Sequence, residues 1–163
     1  MKDNRLRYFF LFLLVSYFLI LLRVIVFKGS AEFIIGHIRN FPSLHKGWTL
    51  ANFIPFKTIY YYVSLQEVAE NGLENVGGNI VLFIPYGLLL PLAIRCTREF
   101  RKLLLTVFIT SLCFESIQLL FDLGSFDVDD LLLNTIGGTI GYLFFLFYSS
   151  LLSDALAEKE KSI

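Results

Sequence analysis

Glu115 is a carboxylate inside an apolar run, and the residues spaced around it bound what it can do. Ser111, Glu115, Gln118 and Asp122 follow at offsets of 4, 3 and 4, which puts all four on one helical face. In two further apolar runs Asn75 and Asn79 stand one turn apart, as do Asp130 and Asn134, the latter continuing to Gly137, Gly138 and Gly141. A short acidic stretch, Asp127-Val128-Asp129-Asp130, precedes Asn134. Three kinds of chemistry fit these residues. Glu115 has the character of a general base, and Asp127, Asp129 and Asp130 are oxygen donors of the kind that hold Mg²⁺ or Ca²⁺. The same aspartates suit a helix N-terminus, with Asp129 or Asp130 the expected cap. The third possibility, binding of a polar ligand, would draw on Asn79, Gln118 and Asn134 as well, although each amide also serves as an interhelical hydrogen bond worth ~0.6 kcal/mol.

A charged side chain at the bilayer centre costs at least ~2.5 to 3.5 kcal/mol on insertion scales, so Glu115 requires protonation, water or a cation. Arg23 is the cation closest to its level, and an Arg23 to Glu115 ion pair is the structural alternative to a functional carboxylate. His37 and His45 lack Cys or His neighbours at ligand spacing and read as surface residues rather than zinc ligands. No CxxC, HExxH or Gly-rich phosphate loop is present, nor a nucleophile paired with a base.

The elements that carry these residues are set by composition. Of 163 residues, 56% are hydrophobic and 17% aromatic, and 14 basic residues balance 14 acidic ones. With a mean hydropathy of +0.67 the chain is shifted toward a lipid solvent. Neither disorder nor a nucleic-acid partner fits, because the apolar content is high, the net charge is zero and there is no basic run. Four runs, at about 8–27, 76–94, 103–121 and 131–152, are each long enough to span hydrocarbon ~30 Å thick. The chain is therefore expected to be one all-α integral membrane domain over residues 1–163, with four transmembrane helices. The first run exceeds a signal-peptide core and is interrupted by Arg23, so it reads as an uncleaved anchor. Cys96 and Cys113 lie in or beside apolar runs and are expected as buried, reduced thiols.

Orientation follows from Lys and Arg. With the N-terminus inside, nine of them lie on the inner side of the runs and four on the outer side, which favours both termini cytoplasmic. The 48 residues from Lys28 to Asn75 are then extracytoplasmic and too many to lack structure. Glu32–Arg39 has the pattern of an interfacial helix, and Asn52–Phe56 is apolar but too short to span. Tyr60, Tyr61 and Tyr62 suggest an aromatic belt, and a polar helix from Ser64 is expected to stop at Asn71-Gly72. Pro85 predicts a kink in the second helix, and Gly137 and Gly141 predict close packing, within the bundle in preference to a dimer.

Counted from the outer helix ends at 1.5 Å per residue, Glu115 lies roughly 9 Å deep, and Asn79 and Asn134 roughly 4 to 5 Å. Three separate helices thus bring their polar stripes to one level beneath Asp127–Asp130. The expectation is an acidic chamber that opens outward.

The order of motifs is also informative. NFIPFKTI (Asn52–Ile59), GNIVLFIPYGLLLP (Gly78–Pro91), FESIQ (Phe114–Gln118) and FDVDDLLLNTIGGTIGY (Phe126–Tyr142) together resemble the VanZ-like family of bacterial membrane proteins. The resemblance covers roughly residues 52–142 and rests on Asn79, Phe83, Pro85, Gly87, Glu115, Gln118, Asp127, Asp129, Asp130, Asn134, Gly137 and Gly138. It implies a multi-pass protein of the cytoplasmic membrane, linked in Gram-positive bacteria to resistance against teicoplanin-type glycopeptides, or to a wider role in the cell envelope. Its implied partners are membrane lipids and a lipid-tailed glycopeptide or cell-wall precursor lipid. One functional reading is a protein that binds such a ligand in the outer chamber. Another is a membrane enzyme acting on a lipid phosphate, with Glu115 as base and an aspartate-bound Mg²⁺ or Ca²⁺. A transporter would be expected to show paired broken helices or repeat symmetry, neither of which is visible.

Overall fold

The computed structural model describes residues 2–27, 46–64 and 69–161, and these form helices without a strand among them. Helix α1 (Lys2–Leu21) passes into a π-helical turn, Leu22–Val26. Two short helices follow, α2 (Lys46–Leu50) and α3 (Lys57–Ser64). Three long ones complete the chain: α4 (Ala69–Ala93), α5 (Phe100–Leu120) and α6 (Val128–Lys161). Segments Asn4–Val26, Asn75–Ala93, Phe100–Leu120 and Val128–Ser153 are long and apolar enough to cross a membrane. The protein is a membrane protein with four spans among the described residues. These spans begin one to four residues earlier than the hydropathy runs, because polar first turns such as Asp129-Asp130 are helical without being apolar.

Two expectations are corrected. Helix α4 runs through Asn71-Gly72, so the stop expected there is absent; the cost of one glycine in a helix, about 1 kcal/mol, is small beside a helix of 25 residues. Cys96 and Cys113 are free thiols as expected, but they are exposed at the protein surface. Cys113 lies inside the third span, where an apolar context marks the lipid side as readily as the interior, and Cys96 lies in the polar turn Arg95–Arg98 beyond the end of α4. The interfacial helix proposed for Glu32–Arg39, and both histidines, lie outside the described residues.

Without a hydrophobic drive between helices in lipid, close packing must hold the bundle together. Helix α4 is central, packed between α1 and α6, and α5 packs on α6 and on the π-turn. The tightest seam joins α4 to α6. Side chains at Gly137 and Gly141 would collide with the carbonyl oxygens of Ile80 and Ile84, and one at Gly87 with that of Gly138. Because successive turns of α6 meet successive turns of α4, the two helices run parallel, with α5 returning between them. Gly137-x-x-x-Gly141 therefore packs inside the bundle. Helix α4 is unbroken across Pro85 and Pro91, and the Tyr17 hydroxyl donates to the Leu82 carbonyl in the turn before Pro85 (2.8 Å). An aromatic cluster fills the middle: Phe83 is fully buried, with its ring 5.8 Å from Tyr86 and 6.4 Å from Phe114.

Candidate functional site

The polar residues of three spans meet the 52–59 segment at one end of the bundle. The meeting begins with backbone. Asn52 pairs in parallel with Asp127: its N–H donates to the Phe126 carbonyl (2.7 Å) and its carbonyl accepts from the Val128 N–H (3.0 Å). Ile54-Pro55-Phe56-Lys57 then turns tightly, with Phe56 at φ 66°. That left-handed conformation costs a non-glycine residue roughly 1 to 2 kcal/mol, so something must hold it.

Asp129 holds it. Its carboxylate is fully buried and accepts the N–H groups of Phe56 (2.5 Å), Thr58 (2.7 Å) and Ile59 (3.1 Å). The last two are in the first turn of α3, where amides lack helical partners and the helix dipole favours an anion. The Asp127 carboxylate accepts the Asn52 side-chain amide (3.0 Å) and the Thr58 hydroxyl (2.6 Å), and also the N–H of Asp129 (2.9 Å). That last bond makes Asp127 the cap of α6, in place of the expected Asp129 or Asp130. A cap accepts from an amide two or three residues ahead, and α6 starts at Val128, before the apolar run.

The remaining residues close the arrangement. In a capping box the residue at Asp130's position would reach back to the N–H of the cap. Here Glu115 from α5 accepts the Asp127 N–H (3.0 Å), and Asp130 accepts the side-chain amide of Asn79 on α4. Glu115 is buried, as are Asn134 and Ser111 one level deeper. Asn134 donates to the Ser111 hydroxyl (2.8 Å), while its side-chain oxygen is buried without a hydrogen-bond partner among the described residues. Gln118 reaches the other way and donates to the Ile25 carbonyl in the π-turn (2.9 Å), tying α5 to α1. The Arg23 guanidinium is exposed and donates to the Phe27 carbonyl. Among the described residues no three His, Cys, Asp or Glu side chains group as a metal site.

Asn79, Glu115, Asp127, Asp129, Asp130 and Asn134 are thus gathered at one end, with Gln118 beside them. The sequence reading assigned no role to Asn52 or Thr58, although each is a polar residue in an otherwise apolar segment. A rim of large apolar side chains surrounds the cluster: Phe53, Ile54 and Phe56 are 59, 62 and 65% exposed.

A profile of the VanZ/LLP1 family matches residues 12–149. The chain belongs to the VanZ/LLP1 family. Among curated proteins it is similar to Protein VanZ of Enterococcus faecium, with 36% identity over 73 residues. That alignment covers 45% of this chain and 45% of the relative, so the chain spans less than half the length of the curated relative it matches. No solved structure matches. The VanZ/LLP1 match runs from the middle of α1 through the 52–59 segment, α4 and α5 into α6, and so includes the residues of the polar cluster.

Proposed function

We propose that this VanZ-family protein lies in the cytoplasmic membrane with both termini inside and contributes to low-level resistance against lipid-tailed glycopeptides, or to envelope maintenance. It does so by engaging the lipid tail or a cell-wall precursor lipid at its acidic outer end. The observation that carries this reading is the 53–56 loop, whose apolar side chains are more than half exposed while its backbone is pinned by Asp129. A soluble protein would bury such residues; a pinned apolar projection beside a polar cluster matches a ligand with an acyl tail and a polar head. An enzyme with an aspartate-bound metal would need the lone pairs that Asp127 and Asp129 direct at N–H and O–H donors, so binding is the preferred reading.

The test is expression in a susceptible Gram-positive host. The wild type should raise the inhibitory concentration of a tailed glycopeptide and leave a tail-free one unchanged. A Phe53→Ser, Ile54→Ser variant should lose most of the effect, since burying each such side chain is worth about 1.5 to 3 kcal/mol, which together exceeds a tenfold change in affinity. Unchanged susceptibility with the wild type would overturn the resistance role, and full protection by the variant would overturn the loop's part in it.

A further inference from the structure

A cavity of about 440 Å³ opens at the other end of the bundle, where α1 begins, α4 ends and the last turns of the fourth span lie. Its walls include Phe10, Leu92 and Phe145, and its polar side is formed by Arg7, Arg95 and Arg98. No carboxylate is among the described residues that line it. The sequence reading used these arginines only as markers of orientation, and the resistance reading does not involve them.

The guanidinium groups of Arg7 and Arg98 are held in place by the end of α4. Arg7 donates through Nε to the Ala93 carbonyl (3.3 Å), and Arg98 donates through Nε to the Pro91 carbonyl (3.2 Å). Both carbonyls belong to the last turn of α4, where helical acceptors lack partners and the dipole favours cations. A guanidinium anchored at Nε keeps its terminal nitrogens for a second acceptor, in the planar fork that suits a phosphate. The Tyr142 hydroxyl donates to the Arg98 carbonyl (2.7 Å) and fixes the 3-10 turn Arg95–Arg98. The level is also defined. Spans begin at Asn4 and end at Ala93 and Ser153 around this cavity, so the arginines stand at the boundary between hydrocarbon and water. Phospholipid phosphates occupy that depth.

We propose that this cavity is a binding site for an anionic phospholipid of the leaflet that holds the two termini, with the phosphate between Arg7, Arg95 and Arg98 and the acyl chain along Phe10, Leu92 and Phe145. Its size, within the usual 300 to 1,000 Å³ range of ligand pockets, suits a headgroup and the first part of a chain. The site lies at the opposite end from Asp127–Asp130 and stands or falls independently of glycopeptide resistance.

The test is native mass spectrometry of the purified full chain in neutral detergent, titrated with phosphatidylglycerol, phosphatidylcholine or inorganic phosphate. Wild type should retain phosphatidylglycerol in preference to phosphatidylcholine, and millimolar inorganic phosphate should not displace it. At about 1 kcal/mol for each basic residue near an anionic lipid surface, Arg7→Gln with Arg98→Gln should weaken phosphatidylglycerol binding by about 30-fold. Because those changes also remove the Nε bonds to α4, Ser149→Trp provides a second arm: it fills the cavity from α6 with all three arginines intact, and should also abolish the preference. Equal retention of the two lipids by wild type would overturn the site, as would preserved preference in both variants. Displacement by inorganic phosphate would overturn the lipid as occupant.

Discussion

Asp129 shows how much a single carboxylate can organise. It sits in the first turn of α6 and receives three amides from the start of α3 and the turn before it, 70 to 73 residues away in sequence. The acidity of Asp127–Asp130 and its value at a helix N-terminus are legible in the sequence. The distant amides are not, because nothing local identifies which second helix start will share the charge. Glu115 is a similar case: its helical face is readable from spacing, but its acceptance of the Asp127 N–H depends on how α5 and α6 are joined. Asp129→Asn is nearly isosteric, yet its NH₂ cannot accept, so at least one part-buried backbone N–H loses its acceptor. The expected loss is about 1 to 3 kcal/mol of stability, read by unfolding of the purified chain in mixed micelles. Hydrogen exchange should quicken at Phe56, Thr58 and Ile59. A variant as stable as wild type, with those amides still protected, would refute the clamp.

At the scale of elements, the seam between α4 and α6 explains why glycines fall where they do. The four spans and the GxxxG spacing are readable from hydropathy and composition. Which helix fills the notch is not, since close approach leaves no mark on the partner except small or displaced side chains, and at Ile80 and Ile84 it is the carbonyl that is approached. Gly141→Ala would push a methyl group into the Ile84 carbonyl, and the helices can relieve this only by separating along the seam. Gly77→Ala provides the contrast, because an added Cβ there meets nothing within 4 Å and the backbone is ordinary helix. The first substitution should destabilise the bundle by about 1 to 3 kcal/mol, and the second should be neutral or stabilising by up to about 1 kcal/mol through helix propensity. Unfolding of the two variants side by side checks this, and equal effects would mean that α4 and α6 are not in backbone contact.

For the whole molecule, net charge zero conceals two ends of opposite character. Carboxylates gather where α6 begins, and Arg7, Arg95 and Arg98 gather where α4 ends. The bias of Lys and Arg predicts that the arginine end is cytoplasmic, and a native thiol can report it. Cys96 is exposed in the 3-10 turn Arg95–Arg98 at that end. Cys113 is also exposed, but it lies thirteen residues into α5, or roughly 20 Å at 1.5 Å per residue, where an impermeant aqueous reagent does not reach. In Cys113→Ser protein, a membrane-impermeant maleimide should therefore leave intact cells unlabelled and modify Cys96 in inverted vesicles. Labelling of intact cells would reverse the topology. It would place the acidic cluster and the exposed 53–56 loop inside, and so remove them from the side on which a glycopeptide acts.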